Sequence, residues 1–141
     1  MHARWQSTAL SGDGAAMYPG RWNKPGSRMV YVADSLALAV LETLVHLEAE
    51  ATEEPYVGIE LSIPDGHITR LTDLPAGWKQ SITATRDLGD RWLTTRRTLA
   101  AQVPSALVPD GTNLLLNPAH QSFGEVRELR RVEFHWDARL F

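Results

Sequence analysis

The sequence predicts an α+β fold: one compact domain of short, mostly antiparallel strands with two main helices. Three stretches carry that prediction. Tyr56 to Ile63 alternates, with Val57, Ile59, Leu61 and Ile63 on one face and Tyr56, Gly58, Glu60 and Ser62 on the other, the pattern of a half-buried strand. The apolar run Met29 to Ala33 passes directly into a strongly apolar helical segment from Leu36 to Ala49. A second helical periodicity runs from Thr85 to Leu99, with Leu88, Trp92, Thr95 or Arg96, and Leu99 facing inward.

The remaining elements follow from turn chemistry. Ser11 to Gly20 holds Gly12, Gly14, Pro19 and Gly20 and reads as a loop. Lys24-Pro25-Gly26-Ser27 is a second turn, so Arg21-Trp22-Asn23 is held by constrained backbone on both sides. Asp34 or Ser35 can cap the helix that follows the first strand. On a helical wheel its leucines, valines and alanines cover a very wide arc, which predicts a mostly buried helix with Glu42 at the edge of the arc. His67 to Leu71, Val103 to Val108, Asn113 to Leu116 and Val132 to Trp136 read as strands, and Glu125 to Arg131 as a strand or short helix. Gly89 counts against the second helix by roughly 1 kcal/mol relative to alanine.

Composition bounds the function. The chain has 141 residues, enough for one domain spanning 1–141 with a real core. The net charge of −3 argues against a nucleic-acid footprint. There is no cysteine, which excludes disulfides, thiolate metal sites and a cysteine nucleophile, and fits a reducing cytoplasm. No apolar run approaches the ~18 residues of a membrane span, and the start of the chain has no apolar signal region. A cytoplasmic location is the expectation. Gly12-Asp13-Gly14 begins like a dinucleotide fingerprint, but position 17 is Met and no strand–helix frame surrounds it. The five histidines, His2, His46, His67, His120 and His135, show no ligand spacing, so no metal is expected.

The residues with chemistry cluster between Gly20 and His46. Arg21 lies on a glycine-flanked loop, Tyr31 on the strand, Glu42 on the helix. A guanidinium fork suits phosphate or carboxylate. A tyrosine can stack on a ring or sugar and still present its hydroxyl. A carboxylate among apolar residues can stabilise a developing positive charge, as in an oxocarbenium-like transition state at an anomeric carbon. Taken singly, each residue has a plainer reading: a surface arginine, a core tyrosine, a solvated glutamate. Asn113, Asn117 and His120 read as side chains that tie down a turn, and Arg127, Arg130 and Arg131 as a solvated basic face.

An ordered set of motifs joins these residues. Gly20-Arg21-Trp22-Asn23-x-x-Gly26 is followed by Val30-Tyr31-Val32-Ala33-Asp34-Ser35 and the helix through Glu42 to His46. Then come Leu88-Gly89-Asp90-x-Trp92-Leu93, Val103-Pro104-Ser105, Asn113 to Pro118 with His120, and Phe134-x-Trp136-Asp137-x-Arg139-Leu140. The set resembles the RES domain, the toxin half of Xre–RES toxin–antitoxin pairs, over nearly the whole chain. The resemblance implies an ADP-ribosyltransferase-like fold and consumption of NAD by hydrolysis or phosphorolysis of the nicotinamide–ribose bond. Some family members instead ADP-ribosylate a protein.

By motif position, the Arg, Glu and Ser that name the family match Arg21, Glu42 and Ser105, and Tyr31 matches the pocket tyrosine. The resemblance implies that Arg21 holds the NAD phosphates and that Tyr31 packs on the nicotinamide riboside. Glu42 would stabilise the ribosyl cation or orient the nucleophile, and Ser105 would line the pocket and bond substrate. Arg4 matches an early family arginine, which would add a phosphate contact. Pro19 stands where the family often has a second glycine. NAD enters as substrate, with no tightly bound cofactor. The implied partner is a helix-turn-helix antitoxin that blocks the pocket, toward which the basic cluster at Arg127 could face; a homodimer and a toxin–antitoxin hetero-oligomer are both compatible. No direct contact with nucleic acid or membrane is expected. A non-enzymatic nucleotide- or partner-binding module is the alternative from another class.

Overall fold

A computed structural model describes residues 8–47 and 55–140; Arg4 lies outside them. The described elements, in order, are α1 (Asp13–Met17), β1 (Val30–Ala33), α2 (Leu36–Leu44), β2 (Tyr56–Ser62), β3 (Ile68–Arg70), α3 (Ile82–Thr95), β4 (Ala100–Pro104), β5 (Thr112–Leu116) and β6 (Arg127–Phe134). Four strands form one sheet in the order β1-β5-β4-β3, and β2 pairs with β6 in a second. Only β3 and β4 run parallel; the other pairs are antiparallel. The α+β architecture is therefore the one the sequence predicts.

Strand alternation sorts the core onto the two faces of the larger sheet. Ala101, Val103 and Leu115 face Trp22, Met29 and Trp92, with Leu88, Leu93 and Trp78 packed around them. Val30, Ala100 and Leu116 face the other way, toward Leu61, Ile63 and Phe123. The centre of the sheet is covered on both sides, which is why the small Ala100 and Ala101 are fully buried there. Tyr56, Phe134 and Trp136 form a separate aromatic cluster on the second sheet, with ring centroids 5.2–6.0 Å apart.

Several boundaries differ from expectation, each for a local reason. The glycine-rich Ser11–Gly20 stretch contains the short helix α1, opened by Gly12 at φ 74, where a Cβ would lie 2.8 Å from the Met29 nitrogen. Helix α3 stops at Arg96, whose φ is 48, and the Trp92 indole N–H donates to Thr98 just beyond. Leu99 therefore leaves the helix and feeds β4, which ends at Pro104 instead of beginning there. Thr95 and Arg96 are both exposed, so neither faces inward as expected. The two segments expected from Glu125 to Trp136 merge into the single strand β6. On that strand Arg130 pairs with Glu60 at 3.1 Å and Arg131 pairs with Glu128, so the basic cluster is largely neutralised by its own neighbours.

Helix α2 departs most. Ser35 caps it as expected, accepting from Leu38 N at 3.2 Å. Yet Leu38 is its one buried residue, while Leu36 is 45% and Val45 51% exposed. The helix is short and sits at the end of β1, with Leu36 over Gly58 of β2, so only one edge of its apolar arc meets the described core.

The loop from Pro19 to Ser27 has no regular structure of its own, and α3 holds it. Arg86 donates to the Gly20 and Pro19 carbonyls at 2.9 and 2.8 Å, and Thr85 Oγ1 donates to the Arg21 carbonyl at 2.8 Å. Asp90 accepts from Lys24 N and from the Ser27 hydroxyl. Gly89 lets the loop lie directly on the helix: a Cβ there would be 1.8 Å from the Trp22 carbonyl oxygen. The buried stripe of α3 is thus Thr85, Gly89 and Trp92.

Inside the loop, Asn23 is fully buried and satisfied at both ends. Its Oδ1 accepts from Gly20 N at 2.9 Å and from the Tyr31 hydroxyl at 2.8 Å. Its Nδ2 donates to the carbonyls of Ala15, Lys24 and Ser27 at 2.7–3.1 Å. The Tyr31 oxygen also accepts from Trp22 N at 2.9 Å. Burial of this hydroxyl pushes its pKa up to about 12, although the Trp22 N–H works in the opposite direction.

Gly89→Ala should destabilise the protein. Alanine favours an isolated helix by about 1 kcal/mol, but the added methyl meets backbone that cannot yield, and overpacking costs about 1–3 kcal/mol. A thermal melt should fall by several degrees; an unchanged or raised Tm contradicts the packing described. The second expectation concerns pH. Tyr31 favours its neutral form in the fold, so the stability it confers is fully present below pH ~10 and is lost as pH rises toward 12. Melting curves of wild type and Tyr31→Phe should therefore converge between pH 9 and about 11.5; a constant gap is the contrary result.

Candidate active site

Glu42, Ser105 and Asn113 meet at one end of the larger sheet. Glu42 projects from the second turn of α2 and is half-buried. Its Oε1 accepts from the Ser105 hydroxyl at 2.8 Å and from Asn113 Nδ2 at 2.7 Å. Ser105 lies just past β4, where its backbone N–H donates to Gly111 O at 2.8 Å and turns the chain. Its hydroxyl oxygen accepts from Leu107 N and Val108 N, both at 3.1 Å, and its proton goes to Glu42. The hydroxyl's hydrogen bonds thus lie within the protein, between the turn and the carboxylate. Among the described residues no donor reaches Glu42 Oε2.

The sheet register brings Tyr31 to the same place. Ala33 lies opposite Asn113 and Tyr31 opposite Leu115, so Tyr31 and Asn113 share a face as diagonal neighbours, about 7–8 Å apart along the backbone. Tyr31 is 40% exposed as a residue although its hydroxyl is anchored in the loop. Its proton is engaged with Asn23, so what it offers outward is apolar ring surface and not a hydroxyl donor. Gly20 lies against the edge of this ring, with a notional Cβ 2.7 Å from Tyr31 Cζ.

Arg21 stands on the loop next to that ring. Its Nη1 donates to the Trp78 and Lys79 carbonyls at 3.3 and 3.1 Å, and its guanidinium carbon lies 6.0 Å from the Trp78 ring centre. Lys79 Nζ lies 5.7 Å from the same ring. Among the described residues no carboxylate pairs with Arg21, so its charge is oriented but not neutralised. Asn113, which holds Glu42, shares a face of the β1–β5 pair with Tyr31, and Arg21 stands on the loop that anchors the Tyr31 hydroxyl. Such a set can hold an anionic group, stack a ring or sugar, and stabilise positive charge between them. No cluster of three or more His, Cys, Asp or Glu able to hold a metal occurs among the described residues.

Of the three side chains read as turn ties, two have that place. Asn117 donates to Leu93 O and accepts from Ala119 N, and His120 Nδ1 accepts from Ser122 N. Asn113 differs, since it reaches Glu42. The signal that could have found it is its place on β5 two residues before Leu115, the partner of Tyr31. Asn23 and Arg86 were also not singled out for chemistry; both act through backbone carbonyls and N–H groups, which sequence spacing does not reveal.

Comparison with known proteins follows the same lines. A sequence model of the RES domain matches residues 1–137. A protein named Toxin Res from Yersinia enterocolitica is 38% identical, over 97% of this chain and 93% of the relative. Another Toxin Res, from Pseudomonas putida, is 36% identical over 97% and 98% of the two chains. A protein named Prs ADP-ribosylating toxin from a Sphingobium species is 34% identical over 96% and 89%. In three dimensions the chain is similar to one in the crystal structure of the M. tuberculosis MbcT–MbcA toxin–antitoxin complex. The TM-score is 0.72 at 20% identity, covering 88% of this chain and 76% of that one, a likeness of fold. With the family model spanning almost its full length, this chain belongs to the RES domain family.

Proposed function

We propose that the protein is the toxin of a toxin–antitoxin pair and that it breaks the nicotinamide–ribose bond of NAD. The observation that carries this reading is the Glu42 carboxylate, anchored through Oε1 by Ser105 and by Asn113, which shares a strand face with Tyr31. The names of the relatives and the toxin–antitoxin complex of similar fold support the toxin role and a cognate antitoxin partner.

The chemistry balances with few groups. As the C1′–N bond breaks, its electron pair passes to the nicotinamide nitrogen, which loses its positive charge, so the leaving group needs no general acid. Positive charge moves onto the ribose, where Glu42 stabilises it. An oxygen nucleophile, from water or phosphate, then bonds to C1′ and releases its proton to solvent. Arg21 takes the diphosphate, and the Tyr31 ring packs on the nicotinamide riboside and holds the anomeric carbon in place. The relative named as an ADP-ribosylating toxin favours a second reading, in which a protein side chain is the nucleophile. The first bond cleavage is common to both.

The test is to incubate the purified protein with labelled NAD, with and without phosphate, and identify every product. ADP-ribose alone points to hydrolysis, ADP-ribose 1″-phosphate to phosphorolysis, and label on a polypeptide to the second reading. Release of nicotinamide under none of these conditions overturns the proposal. Glu42→Ala should lower nicotinamide release by at least about 10²-fold; undiminished turnover by a folded variant removes Glu42 from the mechanism. Arg21→Ala should raise the KM for NAD by roughly ten- to a hundredfold, the loss of charge-assisted hydrogen bonds to an anion. Unchanged affinity for NAD contradicts the phosphate role.

A further inference from the structure

Asn113 occupies an interior strand of the larger sheet, with Ala33 of β1 on one side and Val103 of β4 on the other. Its side-chain position is therefore set by hydrogen-bond ladders on both flanks. The orientation of its amide is also determined. With Nδ2 toward Glu42 the contact is a 2.7 Å hydrogen bond; turned over, the amide would set two acceptor oxygens against each other. This orientation leaves Asn113 Oδ1 buried with no donor. A buried carbonyl without a partner costs stability, so the side chain is poorly explained as a fold-holding group. Asn117, on the same segment, shows the contrast: both ends of its amide are bonded to backbone.

The second donor to Glu42 repeats the pattern. The Ser105 hydroxyl has two backbone N–H groups on its oxygen, which directs its one proton at the same carboxylate oxygen that Asn113 contacts. Two donors on one oxygen fix the plane of a carboxylate and leave the other oxygen to meet whatever approaches.

We propose that Asn113 is a positioning residue for the reaction: with Ser105 it pins Glu42 Oε1, so that Oε2 is presented to the anomeric carbon of the substrate. The role rests on the NAD-cleaving reading given above. It makes Asn113 a determinant of turnover that does not itself touch substrate. A near-isosteric apolar replacement removes the donor and the unpaired carbonyl together, which separates positioning from folding.

The experiment compares wild type, Asn113→Leu and Asn113→Asp by steady-state release of nicotinamide from NAD and by thermal melting. Asn113→Leu should melt at or above the wild-type temperature, while its kcat falls about ten- to a hundredfold, the loss expected when a catalytic group is misplaced by about 1 Å. Its KM for NAD should stay within about threefold of wild type, because ground-state binding is untouched. Asn113→Asp keeps the shape without the donor and should lose at least as much kcat. Wild-type kcat in either folded variant overturns the positioning role. So does an Asn113→Leu protein that melts far below wild type while Asn113→Asp regains stability and turnover together, since that marks a structural residue. A wild-type protein that releases no nicotinamide overturns the underlying reading, and the positioning role with it; an active wild type with an equally active Asn113→Leu overturns the positioning role alone.

Discussion

The buried amide of Asn23 organises the part of the chain that has least structure of its own. Five hydrogen bonds converge on it, from Gly20, from Tyr31 and to three carbonyls on either side of the loop. Only a carboxamide supplies a two-fold acceptor and a pair of donors from so small a volume. An aspartate would lose the donors and bury a charge; an alanine would leave three carbonyls and two N–H or O–H groups to find new partners. Because the Tyr31 hydroxyl is one of these partners, the same amide that shapes the loop also sets the tilt of the ring on β1. Arg21 inherits its position between Gly20 and Asn23 from this arrangement.

Two halves of the site are built in different ways. The cationic half is a loop held from outside by α3, through Arg86, Thr85, Asp90 and the missing side chain of Gly89. The anionic half is assembled from three elements distant in sequence: Glu42 on α2, Ser105 after β4, Asn113 on β5. They are joined by strand β1, which carries Tyr31 and pairs with β5 in the register that brings Asn113 alongside. The proposed chemistry needs the two halves at a fixed separation, and the β1–β5 ladder is the element that spans it.

Much of this was legible in the sequence, and the parts that were not share a cause. The apolar run at Met29–Ala33, the Ser35 cap and the alternation from Tyr56 are local patterns, and local patterns gave those elements. The motifs singled out Glu42 and Ser105, which the fold bonds to each other, while Tyr31 stands across the β1–β5 ladder from them and Arg21 on the loop that anchors the Tyr31 hydroxyl. What escaped depends on tertiary contact. Gly89 reads as a weak point in a helix until the Trp22 carbonyl is seen against it. The wide apolar arc of α2 reads as burial, but position at the end of a strand leaves most of it outside the described core. Asn113 looks like Asn117 in sequence, and only strand register distinguishes a side chain aimed at a carboxylate from one that ties a turn.

The light seating of α2 has one more consequence. A helix with a single buried residue, Leu38, is tethered to the sheet partly through Glu42 itself, by way of the Ser105 hydroxyl. On the proposed chemistry the acid is both tool and fastener. Sequence drift at this position faces two filters at once: a residue without an acceptor oxygen at that reach fails the chemistry and also unlatches the helix that carries it. A lineage that abandoned catalysis would have to re-anchor α2 by other means, so a glutamine here, able to keep shape and accept the same two hydrogen bonds, is the substitution by which an inactive descendant could arise without losing its fold.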